Sequence, residues 1–283
     1  MATTTLSAVN DQIQKYWAPV FTKRLRENLL LGSLVNKDYE GAIARQGDTV
    51  RVSQLIDIDG QLLTVGTDAD SFSPEAITTT YIDIKADKRA VASVEFADLV
   101  ELQSQVDRNK VQDILMFALG KQINSYLYSL VSPSTSAPNH VITGVTDFNA
   151  TQLGNCRILA AQAKWANDNG WYALLDPQYY QDLLNSTTVA SSEFGASDAP
   201  SIGGKIALKR MGFNVLEDNS RSADFGLLFH PDFMHMVQQS EVQVKISDLH
   251  AQKKFGFVMS VDLVFGAKLG LQGNVKHIKV SAT

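Results

Sequence analysis

The stretch from Phe96 to Val131 constrains the fold more than any other part of the chain. Apolar side chains fall at Phe96, Leu99, Val100, Leu102, Val106, Val111, Ile114, Leu115, Ala118, Ile123, Tyr126, Leu127 and Leu130. Steps of three and four residues place them on one side of an α-helix. Glu101, Gln105, Arg108, Lys110, Gln112, Lys121 and Asn124 fall on the other side, which is expected to meet water or a polar partner. No proline interrupts the run before Pro133, and Gly120 is its one weak helix former. A single helix over 96–131 would be roughly 50 Å long, several times the usual three turns. A rod of that length suits the backbone of an assembly better than the wall of a small-molecule pocket.

The remaining composition narrows the class. A chain of 283 residues, 45% hydrophobic and 19% charged, buries a large core in one elaborate domain or two. The net charge of −5 disfavours tight nucleic-acid binding over a broad surface, although it permits a surface that lies near DNA without adhering. The single cysteine, Cys156, excludes an intrachain disulfide and any cysteine-based metal site. The N-terminus lacks a basic n-region, and the apolar run 29–31 is too short for a signal sequence or a membrane span. The expectation is synthesis and retention on the cytosolic side.

Residues 6–30 read as an arm with Lys23, Arg24 and Arg26 beside Trp17 and Phe21. A solvated helix face explains this cluster better than contact with nucleic acid or an acidic partner does. Leu29 to Val35 follows as an apolar anchor. From Gly47 the period becomes two: Val50, Val52, Ile56 and Ile58 alternate with Arg51, Ser53, Asp57 and Asp59. Asp59-Gly60 is a hairpin signal, and Tyr81 to Lys85 alternates on the return. Residues 46–92 are therefore expected to form a long two-stranded arm. Such a ribbon has little core of its own and should lie against another copy of the chain. Between Val52 and Ile84 it carries Asp57, Asp59, Asp68, Asp70, Glu75 and Asp83 and no Lys or Arg. The expected contacts are Ile56, Asp57, Ile58, Asp59 and Leu62 on the ribbon, received by Arg108, Lys110 and Lys121 on the spine or by the basic arm.

Beyond the rod and the Ser/Pro loop 133–139 lies an α/β region. Thr151 to Asn169 reads as a helix ending at Gly170, with Cys156 on its apolar face. Trp171 to Leu175 reads as a buried strand, and Asp176-Pro177 as the start of the next helix. Phe225 to Phe229 repeats the strand, and His230-Pro231 is expected to open a helix through Met234 and Val237. A Ser/Ala/Gly-rich stretch over 186–204 reads as a loop between the two units. Val242, Val244 and Ile246 alternate as a strand. The tail from Phe255 to Val280 reads as mostly β, with glycines 256, 266, 270 and 273 marking bends or turns.

Chemical motifs fail one by one. Asp57-Ile58-Asp59-Gly60 lacks the remaining oxygen ligands of a calcium loop. His230, Asp232 and His235 have the residue types of a facial metal triad, but on a helix the two imidazoles would diverge by about 140°. Gly203-Gly204-Lys205 lacks the earlier glycine and the Ser/Thr of a phosphate loop. His140, His250 and His277 are isolated. No catalytic, cofactor or metal residue is assigned.

The order of parts resembles the major capsid proteins of tailed phages, the Hong Kong 97-type fold. The local echoes are Gly47-Asp48-Thr49-Val50, Leu174-Leu175-Asp176-Pro177-x-Tyr179, Lys205 to Leu216 with Met211-Gly212-Phe213-Asn214-Val215, Phe229-His230-Pro231-Asp232-Phe233, and Asp262-Leu263-Val264-Phe265-Gly266. This resemblance implies an α+β fold with a long spine helix, an extended β-ribbon loop, a peripheral domain and an axial α/β domain. The implied divisions are an N-terminal arm at 1–45, the ribbon at 46–92, a peripheral domain at 93–133 plus 255–283, and an axial domain at 134–254. It further implies self-assembly through hexamers and pentamers into an icosahedral virion shell around double-stranded DNA, without sequence-specific DNA binding, membrane or cofactor. Synthesis would be in the host cytoplasm. No scaffolding extension precedes the arm, which points to a separate scaffolding protein. A portal and a decoration or cement protein are the other expected partners. Some family members join a ribbon lysine to a neighbour's asparagine; no lysine lies between Arg51 and Lys85, so no such bond is expected. The alternatives are an encapsulin-like compartment shell and a soluble α/β enzyme with an unrecognised site.

Overall fold

The computed structural model describes residues 29–39, 49–55, 58–62, 74–97, 108–131, 140–166, 170–186, 211–221, 225–239, 242–270 and 275–281. The expected arm up to residue 28, most of the loop over 186–204 and the glycine-lysine stretch at 203–205 lie outside the described residues.

A five-stranded mixed sheet organises the α/β region. Its strands are β4 (His140–Thr143), β5 (Tyr172–Leu175), β6 (Asn214–Glu217), β7 (Gly226–Phe229) and β11 (Val275–Ser281), in the order β4-β11-β7-β5-β6. β11 pairs parallel with β4 and antiparallel with β7, and β5 pairs antiparallel with β7 and parallel with β6. Strands β5 and β7 are apolar throughout because both faces of the sheet are covered. Alternation decides which side chain goes where. Ala173, Leu175, Leu228 and Ile278 join the core formed with helices α3 (Ala150–Gln162) and α4 (Pro177–Asn185). Leu174, Leu227, Phe229 and Val275 join the core on the spine side.

Local signals fix both helices. Asn149 caps α3 by accepting from the backbone N–H groups of Thr151 and Gln152. Asp176 accepts from Tyr179 N at 3.2 Å, with Pro177 in the first turn of α4, as the sequence requires. Tyr179 Oη then accepts from Val280 N at 2.9 Å and ties α4 to the last strand. Cys156 is buried in this core, and burial pushes its thiol up to about 12.

The second sheet is built on one long strand, β10 (Gly256–Leu269). Strand β3 (Lys88–Ala97) pairs along one edge, and β8 (Met234–Gln238) and β9 (Gln243–Asp248) share the other. All three pairings are antiparallel. The spine helix α2 (Arg108–Val131, 24 residues) packs on β3 and β10. Its Leu115, Leu119, Leu127 and Tyr128 share a core with Ala90, Met259, Val261, Leu263 and Phe265. The short helix α1 (Leu31–Leu34) adds Leu31 and Val35 to that core, so the expected anchor is present. The ribbon strands β1 (Thr49–Leu55) and β2 (Thr79–Lys85) form a separate antiparallel pair.

Several expectations change. Phe96 lies in β3, stacked on Phe257 at 5.4 Å, so the spine does not run unbroken from there; its described part begins at Arg108. Glu101 and Gln105 lie outside the described residues. The two-sided pattern on the spine also fails: Asn124 is buried and Ile114 is exposed. The cause is that α2 is wedged between two sheets. Tyr126 meets Phe265 of β10 at 5.5 Å, whereas Tyr128 meets Phe225 beside β7 at 5.5 Å. Helix α3 stops at Gln162, followed by Lys164 in the left-handed region, and does not reach Gly170. His230-Pro231 opens only a 3-10 turn (Pro231–Phe233), after which β8 is drawn into the sheet by pairing with β10.

Gly60 does not take a positive φ, and residues 56–78 separate the two ribbon strands, so Asp59-Gly60 is not a tight hairpin turn. Gly266 lies inside β10 and does not mark a turn, whereas Gly256 opens the strand with a φ of 151° directly after the turn that contains Lys253. A Cβ on Gly266 would collide with the Lys85 carbonyl, where the end of β2 crosses the sheet. Strand pairing also crosses the expected boundaries. β8 and β9, counted with 134–254, pair with β10, and β11, counted with the tail, completes the five-stranded sheet. Pairing follows neighbours in space, and the chain passes between the sheets through the connection from β10 to β11.

Candidate assembly surface

The ribbon is held at its base, and its described residues beyond the base are exposed. Val50 pairs with Ile84 and Val52 with Ile82 on one face of the two strands. That face packs with Ala86, Val237, Val264 and Tyr39, and Ile84 is fully buried. On the opposite face Arg51 forks onto Asp83, Nε to Oδ1 at 2.7 Å and Nη2 to Oδ2 at 2.9 Å. The Arg51 guanidinium also lies 4.1 Å from the centre of the Tyr81 ring. The hydrogen-bonded pair raises the Arg51 pKa and lowers that of Asp83. This clasp lies between the Val50–Ile84 and Val52–Ile82 pairs and reinforces their register from the opposite face.

Past Leu55 and Thr79 no strand pairing continues among the described residues. Asp59 N donates to Glu75 Oε2 at 3.3 Å, which keeps the two limbs together. Leu62 is fully exposed, Ile77 is 69% exposed and Ile58 is 56% exposed. Three large apolar side chains thus sit on an arm without a core, beside the carboxylates of Asp59 and Glu75. Ile56 and Asp57 lie outside the described residues.

The expected receiving side is only partly visible. Lys110 and Lys121 are exposed on the spine, while the Arg108 side chain lies outside the described part. Sequence reasoning missed a second exposed surface, the outer part of the β10 sheet. β9 is exposed along its whole length, and Val244, Ile246 and Phe255 present apolar side chains there. The alternation of Val242, Val244 and Ile246 signalled the strand but not that both its faces are open. Asp262 on β10 binds Lys245 of β9 at 3.2 Å and Arg89 of β3 at 2.7 Å. Those bonds, Lys245 first, lower its pKa. Lys254 reaches Glu95 at 3.0 Å. The outer face is therefore cross-linked by ions over three strands.

The residues once read against a metal triad have structural partners. His230 Nδ1 accepts from Asp232 N at 3.3 Å, and Asn36 Nδ2 donates to Asp232 Oδ1 at 3.0 Å. The His235 ring meets Tyr39 edge-on at 5.5 Å, and burial lowers its pKa. Among the described residues no group of three or more His, Cys, Asp or Glu could hold a metal ion. A shallow depression of about 300 Å³ is lined by Gly144, Val145, Thr146, Asp147 and Asn149. The Asn149 side chain is already committed to capping α3. Among the described residues no helix is long and apolar enough to cross a membrane.

No protein-family model matches the chain, and no curated protein matches it in sequence. Solved structures do match in fold. A chain from Mycobacterium phage Che8 superposes with a TM-score of 0.78 and 17% identity, covering 94% of this chain and 96% of that one. The capsid structure of cyanophage P-SCSP1u gives 0.75 and 18%, covering 98% and 95%. The capsid asymmetric unit of cyanophage Pam1 gives 0.73 and 14%, covering 100% and 99%. The fold is that of phage capsid chains over nearly the full length, and the α+β architecture agrees with the Hong Kong 97 type.

Proposed function

We propose that the chain is a major capsid protein, a non-enzymatic subunit that assembles with copies of itself into the icosahedral shell of a tailed phage. One observation carries this reading. A chain with the full-length fold of capsid chains extends a clasped ribbon whose tip exposes Ile58, Leu62 and Ile77. At about 25 cal/mol per Å² of apolar area, covering such side chains is worth on the order of 1.5–3 kcal/mol each, and the chain itself leaves them bare. A neighbouring copy supplies the cover, and the lattice repeats the contact in every subunit.

In this reading the five-stranded sheet with α3 and α4 is the axial unit near the centre of hexamers and pentamers. The spine with β3, β8, β9 and β10 is the peripheral unit. Ile56, Asp57, Ile58, Asp59 and Leu62 meet a neighbour, with Arg108, Lys110 and Lys121 as candidate basic receivers. On the family resemblance we propose a separate scaffolding protein, a portal and a decoration protein as partners, with synthesis in the host cytoplasm and the mature subunit in the virion. Enclosure of double-stranded DNA would not involve base-specific contact.

The test is sedimentation of the purified protein followed by negative-stain microscopy. Closed shells, or the hexameric and pentameric rings that build them, are expected. A monomer that stays monomeric at every concentration and salt tried would overturn the reading.

A further inference from the structure

Beside the apolar core that the spine shares with Leu174, Leu227, Phe229 and Val275 of the five-stranded sheet lies a buried polar joint. Tyr128, near the C-terminal end of α2, donates its hydroxyl to Asp218 Oδ2; Tyr128 is 1% exposed and Asp218 is fully buried. Asp218 follows β6 directly. Its backbone N–H donates to Leu175 O at 2.8 Å, so the carboxylate is fixed to the sheet. Asp218 Oδ1 accepts from Ser220 N at 2.8 Å, and Ser220 Oγ accepts from Asn124 Nδ2 of the spine at 3.4 Å. The half-buried Arg221 guanidinium lies 4.0 Å from the centre of the Tyr128 ring and 5.1 Å from that of Phe225. Burial, with the Asp218 carboxylate beside it, raises the Tyr128 pKa, so the phenol remains a donor.

Two features set this joint apart from the apolar packing around it. It is directional: apolar packing constrains shape alone, whereas a hydroxyl donating to a carboxylate also fixes a distance and an angle. It is also incompletely satisfied. Arg221 Nε and Asn124 Oδ1 are buried without a hydrogen-bond partner among the described residues. A buried charge in a partly satisfied network adds specificity more than stability. The centres of the cores on either side are apolar: Leu153, Cys156, Leu183 and Leu228 on one side, Met259, Val261 and Leu263 on the other.

We propose that Tyr128, Asp218 and Arg221 form a latch that fixes the pose of the spine helix on the α/β unit and that opens before either core unfolds. Closed, the latch fixes one register of the spine on the five-stranded sheet; open, it leaves both folded and leaves the spine held there only by its apolar contacts with the core of Leu174, Leu227, Phe229 and Val275. This does not depend on the shell reading and is testable on the dispersed subunit.

The experiment is mass-spectrometric hydrogen exchange on the full chain, with tryptophan emission recorded alongside. Trp165 and Trp171 are both buried in the α/β core, edge to face at 5.9 Å. In a Trp17→Phe background their emission reports that core. Asp218→Asn is expected to speed exchange of residues 124–131 and 217–221 by about tenfold or more, while exchange at 172–185 and the emission stay as in wild type. Tyr128→Phe, which removes only the hydroxyl, should give the same pattern to a smaller extent, and it decides the matter if Asp218→Asn does not fold. Faster exchange spread evenly over both cores, or no change at 124–131 and 217–221, overturns the latch.

Discussion

His277 on β11 is buried against the Phe225 ring, 4.7 Å between ring centres. Burial lowers its pKa, and the nearby Arg221 guanidinium lowers it further, because a second cation there would be repelled. The native state therefore holds the imidazole neutral, whereas the unfolded chain takes up a proton near pH 6.5. Between that value and the lower folded pKa the unfolded state binds more protons, so stability falls as pH falls. Above about pH 7 the group contributes no pH dependence. His277→Gln is expected to flatten the fall in melting temperature below pH 6.5 without changing the slope above it. Thermal melts at several pH values check this, and an unchanged slope in the acid range would contradict it. Cys156 shows how far single residues are legible. Its helix face predicted burial, and it is buried. Asn124 shows the limit: its type and spacing predicted water, but Ser220, 96 residues away, meets it.

At the scale of elements, the ribbon divides into a base packed through Ile84, Val50 and Val52 and a tip whose described apolar side chains, Ile58, Leu62 and Ile77, are exposed. Leu62→Asp is therefore expected to leave the fold and melting temperature of the dispersed subunit unchanged, since the side chain touches no core, while sharply lowering the yield of particles. Asp57→Lys with Asp59→Lys tests the charge part of the same contact. Exposed ion pairs give about 0.2–1 kcal/mol each and are screened by salt, so the variant should assemble poorly at low salt, while the wild-type particle yield falls as salt rises. Sedimentation of both variants beside wild type separates the two contributions. Normal particle yields from the charge variant with loss from Leu62→Asp would mean that apolar contact alone docks the ribbon.

The elements themselves were largely readable. Period-two alternation gave β1, β2 and β9; the Asp176-Pro177 pair gave the start of α4; and the long apolar run gave the spine. Partnerships set at a distance were not readable. His230-Pro231 looks like a helix start, and only the pairing of Met234 to Gln238 with the far end of β10 makes a strand of it. Gly266 reads as a bend until the Lys85 carbonyl is seen above it. Asp59-Gly60 has the chemistry of a tight turn, but the intervening chain is too long for the two strands to need one.

For the molecule as a whole, the two sheets share the spine, and the ribbon leaves the body at the end of β2. An assembly built from such subunits is expected to hold by burial and ion pairs alone, because no lysine lies between Arg51 and Lys85 to form an isopeptide bond. Denaturing electrophoresis of mature particles should then give one band near 31 kDa, and a ladder of multimers would contradict this. The central claim, that this chain builds a closed shell with its ribbon on a neighbour, is met most directly by a cryo-electron microscopy reconstruction of the assembled particles. The account predicts an icosahedral lattice in which the five-stranded units surround the hexamer and pentamer centres and Ile58, Leu62 and Ile77 of each copy are covered by an adjacent copy. A lattice that leaves those three side chains in solvent, or particles without closed symmetry, would contradict it.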